Sequence, residues 1–147
     1  MDEKMLNNIL DEFLQKCKQK FGDDLISIIL FGSYARGTAV EYSDVDLLVI
    51  AKNLPKRRID RHKVLRDIVL EFIYRYGINI SPILVEPRDL SLKSINPLIC
   101  GILTGYKIIY DRDNFWKNYL ERIKPIIKRI KPIFIDEEKE WKIADLI

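Results

Sequence analysis

Two apolar, β-branched runs constrain this chain more than anything else in it. Leu25-Ile-Ser-Ile-Ile-Leu-Phe31 and Val45-Asp-Leu-Leu-Val-Ile50 are separated by the thirteen residues Gly32 to Asp44. Each has strand length and a nearly continuous apolar character, which reads as a sheet strand covered on both faces. Neither run approaches the ~18 residues that a membrane-crossing helix needs. The chain must therefore supply helices for both faces of a small sheet, and 147 residues at 48% hydrophobic and 32% charged suit one such domain.

The flanking pattern provides those helices. Leu6, Ile9, Leu10, Phe13, Leu14 and Cys17 recur at three- and four-residue spacing, which predicts an amphipathic helix over 3–20, stopped by Phe21-Gly22-Asp23-Asp24. Val64, Leu65, Ile68, Val69, Phe72 and Ile73 predict a helix over 57–76, with Gly77 as its stop. A third strand follows over 78–85, where Pro82 requires an edge or a bulge. Asn96-Pro97 opens a short helix toward Gly105, and Tyr106 to Tyr110 reads as a short strand. A last helix is expected over 113–131, kinked or ended by Pro125 and Pro132 within the repeated Arg-Ile-Lys-Pro-Ile of 122–126 and 129–133. The fold class is thus α+β (α/β): a small mixed β-sheet flanked by helices. Residues 1–112 form the main domain, and 113–147 a C-terminal helical extension packed on it.

Several function classes drop out early. Cys17 and Cys100 are far apart and the chain has one histidine, so neither a disulfide framework nor a zinc site is supported. Met1-Asp-Glu-Lys leads into an amphipathic stretch rather than a signal peptide, and the expected location is cytoplasmic, away from membranes. A net charge of +3 is too mild to indicate a nucleic-acid partner. The charge is uneven, with seven Lys or Arg against one acid over 52–66 and seven against two over 112–131.

Chemistry concentrates between the two apolar runs. Gly32-Ser33 directly follows the first strand: glycine lets a phosphate approach the backbone, serine adds a hydroxyl, and a helical turn through Tyr34-Ala35-Arg36 would aim free N–H groups at an anion. Asp44-Val45-Asp46 opens the second strand, where the two-residue period sends both carboxylates to one side and Val45, Leu47 and Val49 to the other. Two such carboxylates repel unless a cation lies between them, and magnesium, a hard ion that also bridges phosphates, suits the site. Taken alone, an Asp-x-Asp at a strand end is more often a pair of solvated acids. A phosphate-cradling turn and an acid pair brought together by a short loop are more specific.

In this combination the sequence resembles the nucleotidyltransferase superfamily of DNA polymerase beta. It is most similar to the minimal nucleotidyltransferases, whose signature runs Gly-Ser-x-Ala-Arg-Gly, a spacer, then Ser-Asp-x-Asp. Gly32, Ser33, Ala35, Arg36, Gly37, Ser43, Asp44 and Asp46 match it in order and spacing. The resemblance implies ATP as substrate, its β- and γ-phosphates at Gly32 and Ser33. It also implies Mg2+ held by Asp44 and Asp46 as in-line attack expels pyrophosphate. Arg36 either contacts phosphate or rigidifies the turn through a salt bridge. The implied acceptor is a protein rather than nucleic acid, and the implied partner is a HEPN-type toxin that this chain would modify with AMP as its antitoxin. A homo-oligomer is left open.

One departure from the pattern stands out. Active relatives carry a third carboxylate on the later strand, yet Ile78-Asn-Ile-Ser-Pro-Ile-Leu-Val85 has none. Ser81 or Ile83 holds that place, and Glu86 and Asp89 follow the strand. The alternative is therefore a catalytically degenerate protein that binds nucleotide or neutralises a toxin by contact. His62 and the Lys56-Arg57-Arg58 cluster read as solvated surface, and Phe115, Trp116 and Tyr119 as core or interface. The acidic run Glu137-Glu138-Lys139-Glu140 and the tail to Ile147 read as a docking segment for this domain or a partner.

Overall fold

A computed structural model describes residues 1–93 and 97–130, with side chains over 1–93 and 97–129. The Pro132 repeat, the 137–140 acidic run and the tail lie outside the described residues. In chain order the elements are α1 (Glu3–Phe21), β1 (Leu25–Phe31), α2 (Ser33–Arg36), β2 (Val45–Ala51), α3 (Arg58–Arg61), α4 (Arg66–Tyr76), β3 (Ile80–Val85), α5 (Pro97–Ile102), β4 (Lys107–Asp111) and α6 (Phe115–Ile130). The four strands form one mixed sheet in the order β3-β2-β1-β4. β1 runs antiparallel to β2 and β4, while β2 and β3 are parallel, as the α3–α4 crossover between them requires.

Strand alternation divides the core in two. Val45, Leu47, Val49, Ile80 and Leu84 pack beneath α1 and α4, against Ile9, Phe13, Ile68 and Phe72. Ile29, Leu48 and Ile50 face the other way, onto α5 and α6, against Cys100, Ile102, Trp116, Ile123 and Ile127. A bulge in β1 around Ser27 shifts the alternation, and the buried Ser27 hydroxyl donates to Asp111 at 2.6 Å. Asp111 also accepts the Trp116 N–H at 2.8 Å, so one carboxylate ties the bulge to the start of α6. β2 is the best-anchored element: Val45 and every residue from Leu47 to Ala51 are fully buried. At roughly 1.5–3 kcal/mol per buried aliphatic side chain, the strand can carry an unfavourable acid at its open end.

The structure corrects the sequence reading in places. Helix 57–76 is two helices, broken at 62–65, because Arg61 turns inward and is buried. Its Nε donates to the Pro55 carbonyl at 2.9 Å and its Nη1 to Asp89 at 2.7 Å, with Glu86 3.8 Å away. Leu65 absorbs the change of direction at φ −107°, ψ 8°. Ile73, expected on the apolar face, is exposed. α6 continues through Pro125 to Ile130 rather than ending there, held on the sheet by the fully buried Ile123 and Ile127 on either side of the missing donor. Pro82 does lie on an edge strand. Val45 N–H donates to the Asn79 carbonyl, and by parallel alternation residue 82 is one whose N–H would point away from β2.

Candidate active site

The residues singled out between the apolar runs gather at one end of the sheet, where β1 finishes and β2 and β3 begin. Phe31 pairs with Asp46 across β1 and β2, and Asp46 pairs with Ser81 across β2 and β3. Between them the chain leaves β1 through Gly32, at φ 74° and ψ −159°, a conformation essentially restricted to glycine. A Cβ at this position would lie 2.1 Å from Asp46 Oδ2. The backbone of the turn thus lies directly against the carboxylate that the sequence assigns to the metal.

α2 starts from this contact. The Gly32 carbonyl accepts the N–H groups of Ala35 and Arg36, both at 3.1 Å, so the N–H groups of Ser33 and Tyr34 have no partner inside the helix. The loop then returns through a tight turn in which Val40 N–H donates to Ser43 Oγ at 2.8 Å and Ser43 N–H donates to the Val40 carbonyl at 3.0 Å. That gives Ser43 a physical role, fixing the approach to Asp44.

Asp46 is half-buried on the Leu48 side of the sheet. Burial pushes its carboxyl up, the Asp44 charge pushes it further, and Arg36 offsets part of this. Asp44 is exposed, and its Oδ1 accepts a hydrogen bond from Asn79 Nδ2 at 3.1 Å. Among the described residues neither aspartate has a Lys or Arg within 4.0 Å, and Arg36 has no carboxylate within that distance. Arg36 instead lies across the turn before β4, where a Cβ on Gly105 would come 2.7 Å from its Cγ.

Ser81 pairs with Asp46, and Ile83 lies two residues further along the same face. Glu86 and Asp89 are at the opposite end of β3, roughly 15 Å away at a strand rise of ~3.3 Å per residue. Asp89 is paired with Arg61 at 2.7 Å, and Glu86 with Arg88 at 2.6 Å and Arg61 at 3.8 Å, while also accepting the Leu54 N–H. Accordingly, among the described residues no three His, Cys, Asp or Glu side chains gather into a metal site. His62 is exposed beyond the end of α3, Arg58 lies toward Asp89, and Trp116 and Tyr119 are buried. No helix of the described residues is long and apolar enough to cross a membrane.

Two clefts meet at Asn79. One, of about 900 Å³, is lined by Met5, Tyr34, Tyr42, Ser43, Asp44 and Asn79, among others. The other, of about 480 Å³, runs along β3 from Asn79 and Ser81 past Arg66 and Arg61 to Asp89. The donor set at Asp44 and Asp46 suits a hard divalent cation: two carboxylates without a neutralising partner, one raised by burial and by the other's charge. Magnesium sites commonly use one or two carboxylates and leave the remaining positions to water and phosphate.

Sequence reasoning did not find Asn79 or Gly105. Asn79 was inside the expected strand, but only the Val45–Ile80 register reveals that it faces Asp44. Nothing local marks Gly105 as a partner of Arg36.

The family described as nucleotidyltransferase domain matches residues 10–143. Two Methanocaldococcus jannaschii proteins, each provisionally named a protein adenylyltransferase, are similar. One is 40% identical over 78 residues, 53% of this chain and 77% of the relative. The other is 37% identical over 87 residues, 59% of this chain and 79% of the relative. Among solved structures, a chain of a toxin–antitoxin crystal structure with AMP-PNP superposes with a TM-score of 0.53 at 20% identity, over 90% of this chain and 98% of that one. A chain from tri-AMPylated Shewanella oneidensis HEPN toxin in complex with MNT antitoxin gives 0.51 at 16% identity, over 92% and 98%. At these identities the structural likenesses establish the shared fold.

Proposed function

Because the chain belongs to the nucleotidyltransferase-domain family, we propose that it binds ATP with magnesium at the β1–β2 end of the sheet and transfers AMP to a protein side chain. The acceptor we propose is a HEPN-type toxin for which this chain is the antitoxin. The observation that carries the reading is the Gly32 backbone lying against the Asp46 carboxylate, which brings the Gly32-Ser33 turn and the acid pair to one point. The proposed residues are Asp44 and Asp46 for the metal, and Gly32, Ser33 and Arg36 for the nucleotide.

The chemistry is a substitution at phosphorus. An acceptor oxygen attacks the α-phosphorus, the bond from that phosphorus to the α–β bridging oxygen breaks, and pyrophosphate leaves as the acceptor loses its proton to solvent or a nearby base. Magnesium, when bound, would neutralise charge building on the phosphate oxygens. The N–H groups of Ser33 and Tyr34, without a partner inside α2, and the Ser33 hydroxyl bind the polyphosphate tail, while Arg36 supplies a cation at the rim. The names of the Methanocaldococcus relatives and the AMP-PNP and AMPylated-toxin complexes of the structural neighbours support the choice of ATP and of a toxin acceptor.

The test is incubation of the chain with ATP, magnesium and the protein encoded beside it, read by intact mass for an AMP-sized increment on that partner. Calorimetry of ATP binding with and without magnesium runs alongside. Binding and a partner adduct are expected; silence in both measurements ends the reading.

A second reading, binding without turnover, is favoured by one observation: Ser81 occupies the place beside Asp46 where a third acid would complete the site. Ser81→Asp supplies that acid. It is expected to raise the rate of AMP transfer about tenfold or more, by completing the cation site that activates the acceptor oxygen. An unchanged or lower rate in Ser81→Asp would mean that the absent third acid is not what limits turnover.

A further inference from the structure

We infer that Asn79 is a positioning residue for Asp44, holding that carboxylate in place for a divalent cation without cancelling its charge. The inference rests on the nucleotidyltransferase reading and adds to it a residue outside the signature motif. Asn79 reaches Asp44 because its own backbone is fixed. Its carbonyl accepts the Val45 N–H at 3.0 Å, the contact that begins the β2–β3 ladder, and the next rung pairs Val45 with Ile80. Asn79 and Asp44 are thus neighbours just outside the first rung, and Asn79 Nδ2 spans the remaining distance to Asp44 Oδ1 at 3.1 Å. An ionised carboxylate only accepts hydrogen bonds, so the amide must present its NH2 group to it.

The choice of side chain is informative. Several acids of this chain are met by cations, Asp67 by Lys20 at 2.8 Å, Glu71 by Lys16 at 2.8 Å and Asp89 by Arg61 at 2.7 Å, while Asp24, like Asp44, is met by a neutral amide, Asn53 Nδ2 at 3.1 Å. A lysine or arginine at 79 would occupy Asp44 as a permanent counter-ion and compete with a metal. An acid would repel Asp44, and an alanine would leave an exposed carboxylate free to rotate. A neutral donor engages one oxygen, limits rotation and leaves the negative charge in place. Hydrogen-bonding partners of metal ligands act in this way, and their removal typically costs ~10–100-fold in metal affinity.

The test titrates the full chain with Mn2+ in the presence of a non-hydrolysable ATP analogue, read by electron paramagnetic resonance of the free ion. Asn79→Ala is expected to weaken Mn2+ binding about tenfold, with the unfolding temperature and metal-free nucleotide binding unchanged. Asn79→Gln, which keeps an amide donor, is expected to recover part of the loss. Equal Mn2+ affinity in wild type and Asn79→Ala would overturn the inference while leaving the proposed function standing. So would a fall in unfolding temperature or in metal-free nucleotide binding that accounts for the loss, since Asn79 would then be only a structural tie. If the wild-type chain binds no Mn2+ with nucleotide, the proposed function fails and this inference with it.

Discussion

Replacing both acids, Asp44→Asn with Asp46→Asn, is expected to abolish magnesium-dependent ATP binding and reduce AMP transfer by about 10³-fold or more, the scale of losing a charge-stabilising group at a transfer centre. The same variant should unfold at a higher temperature than wild type when metal is chelated. The second half follows from Asp46. Its carboxyl is raised, first by burial and then by Asp44, so ionisation is harder in the folded chain than in the unfolded one. Between the unfolded value and the raised native value the folded state binds more protons, and stability falls as pH rises through that window. Above that window the native chain carries the full cost of a charge it would rather not hold. An asparagine removes that cost while preserving the shape of the side chain. Adding magnesium with nucleotide should close the gap from the other side, because only the wild type gains stability from binding. Thermal unfolding in chelator and in magnesium with ATP checks both parts. Unaltered magnesium-dependent affinity in the double variant would remove Asp44 and Asp46 from the site.

That the aspartates and the turn would meet was legible because their pattern is local. Glycine, serine and two acids at strand spacing carry the same meaning wherever the strands go, and Leu25–Phe31 and Val45–Ala51 are strands on apolar content alone. What the sequence hid depends on long-range partners. Arg61 looks like one more cation in a basic, helical stretch, and only Pro55, Glu86 and Asp89 converging on it explain why it is buried and why the helix breaks after it. Pro125 looks like a helix stop, and the outcome turned on whether Ile123 and Ile127 had a sheet to pack against. The gap in the carboxylate pattern was readable, but the choice between Ser81 and Ile83 was not. Register sets which of them pairs with Asp46, and a parallel pairing through a crossover has no signature in the residues themselves. Asn79 belongs to the same class: its meaning is set by the strand beside it.

Gly32→Val should be the most damaging single substitution in this region, and for two separable reasons. The backbone at φ 74°, ψ −159° is strained for any residue with a Cβ, at about 1–3 kcal/mol. The added atom would also meet Asp46 Oδ2 at 2.1 Å, Asp46 Cγ at 3.0 Å and Asp46 Cβ at 3.2 Å. Rotating the Asp46 side chain can relieve the Oδ2 and Cγ contacts but not the one to its Cβ. That one requires β2 or the turn to move, and β2 is held by fully buried Val45 and Leu47 on either side of Asp46. The turn must therefore give way, at a further cost of about 1–3 kcal/mol for overpacking, and the N–H groups of Ser33 and Tyr34 lose their alignment with the acid pair. The expected result is a clear loss of stability together with at least a tenfold loss of triphosphate affinity, including the part measured without metal. Gly37→Ala separates the two causes. Gly37 also has φ 74°, yet a Cβ there meets nothing within 4 Å, so this variant should show backbone strain alone and bind triphosphate as wild type does. Equal losses of affinity in both variants would trace the effect to general unfolding of the loop. Full triphosphate affinity in Gly32→Val would mean that the phosphates are held somewhere other than this turn.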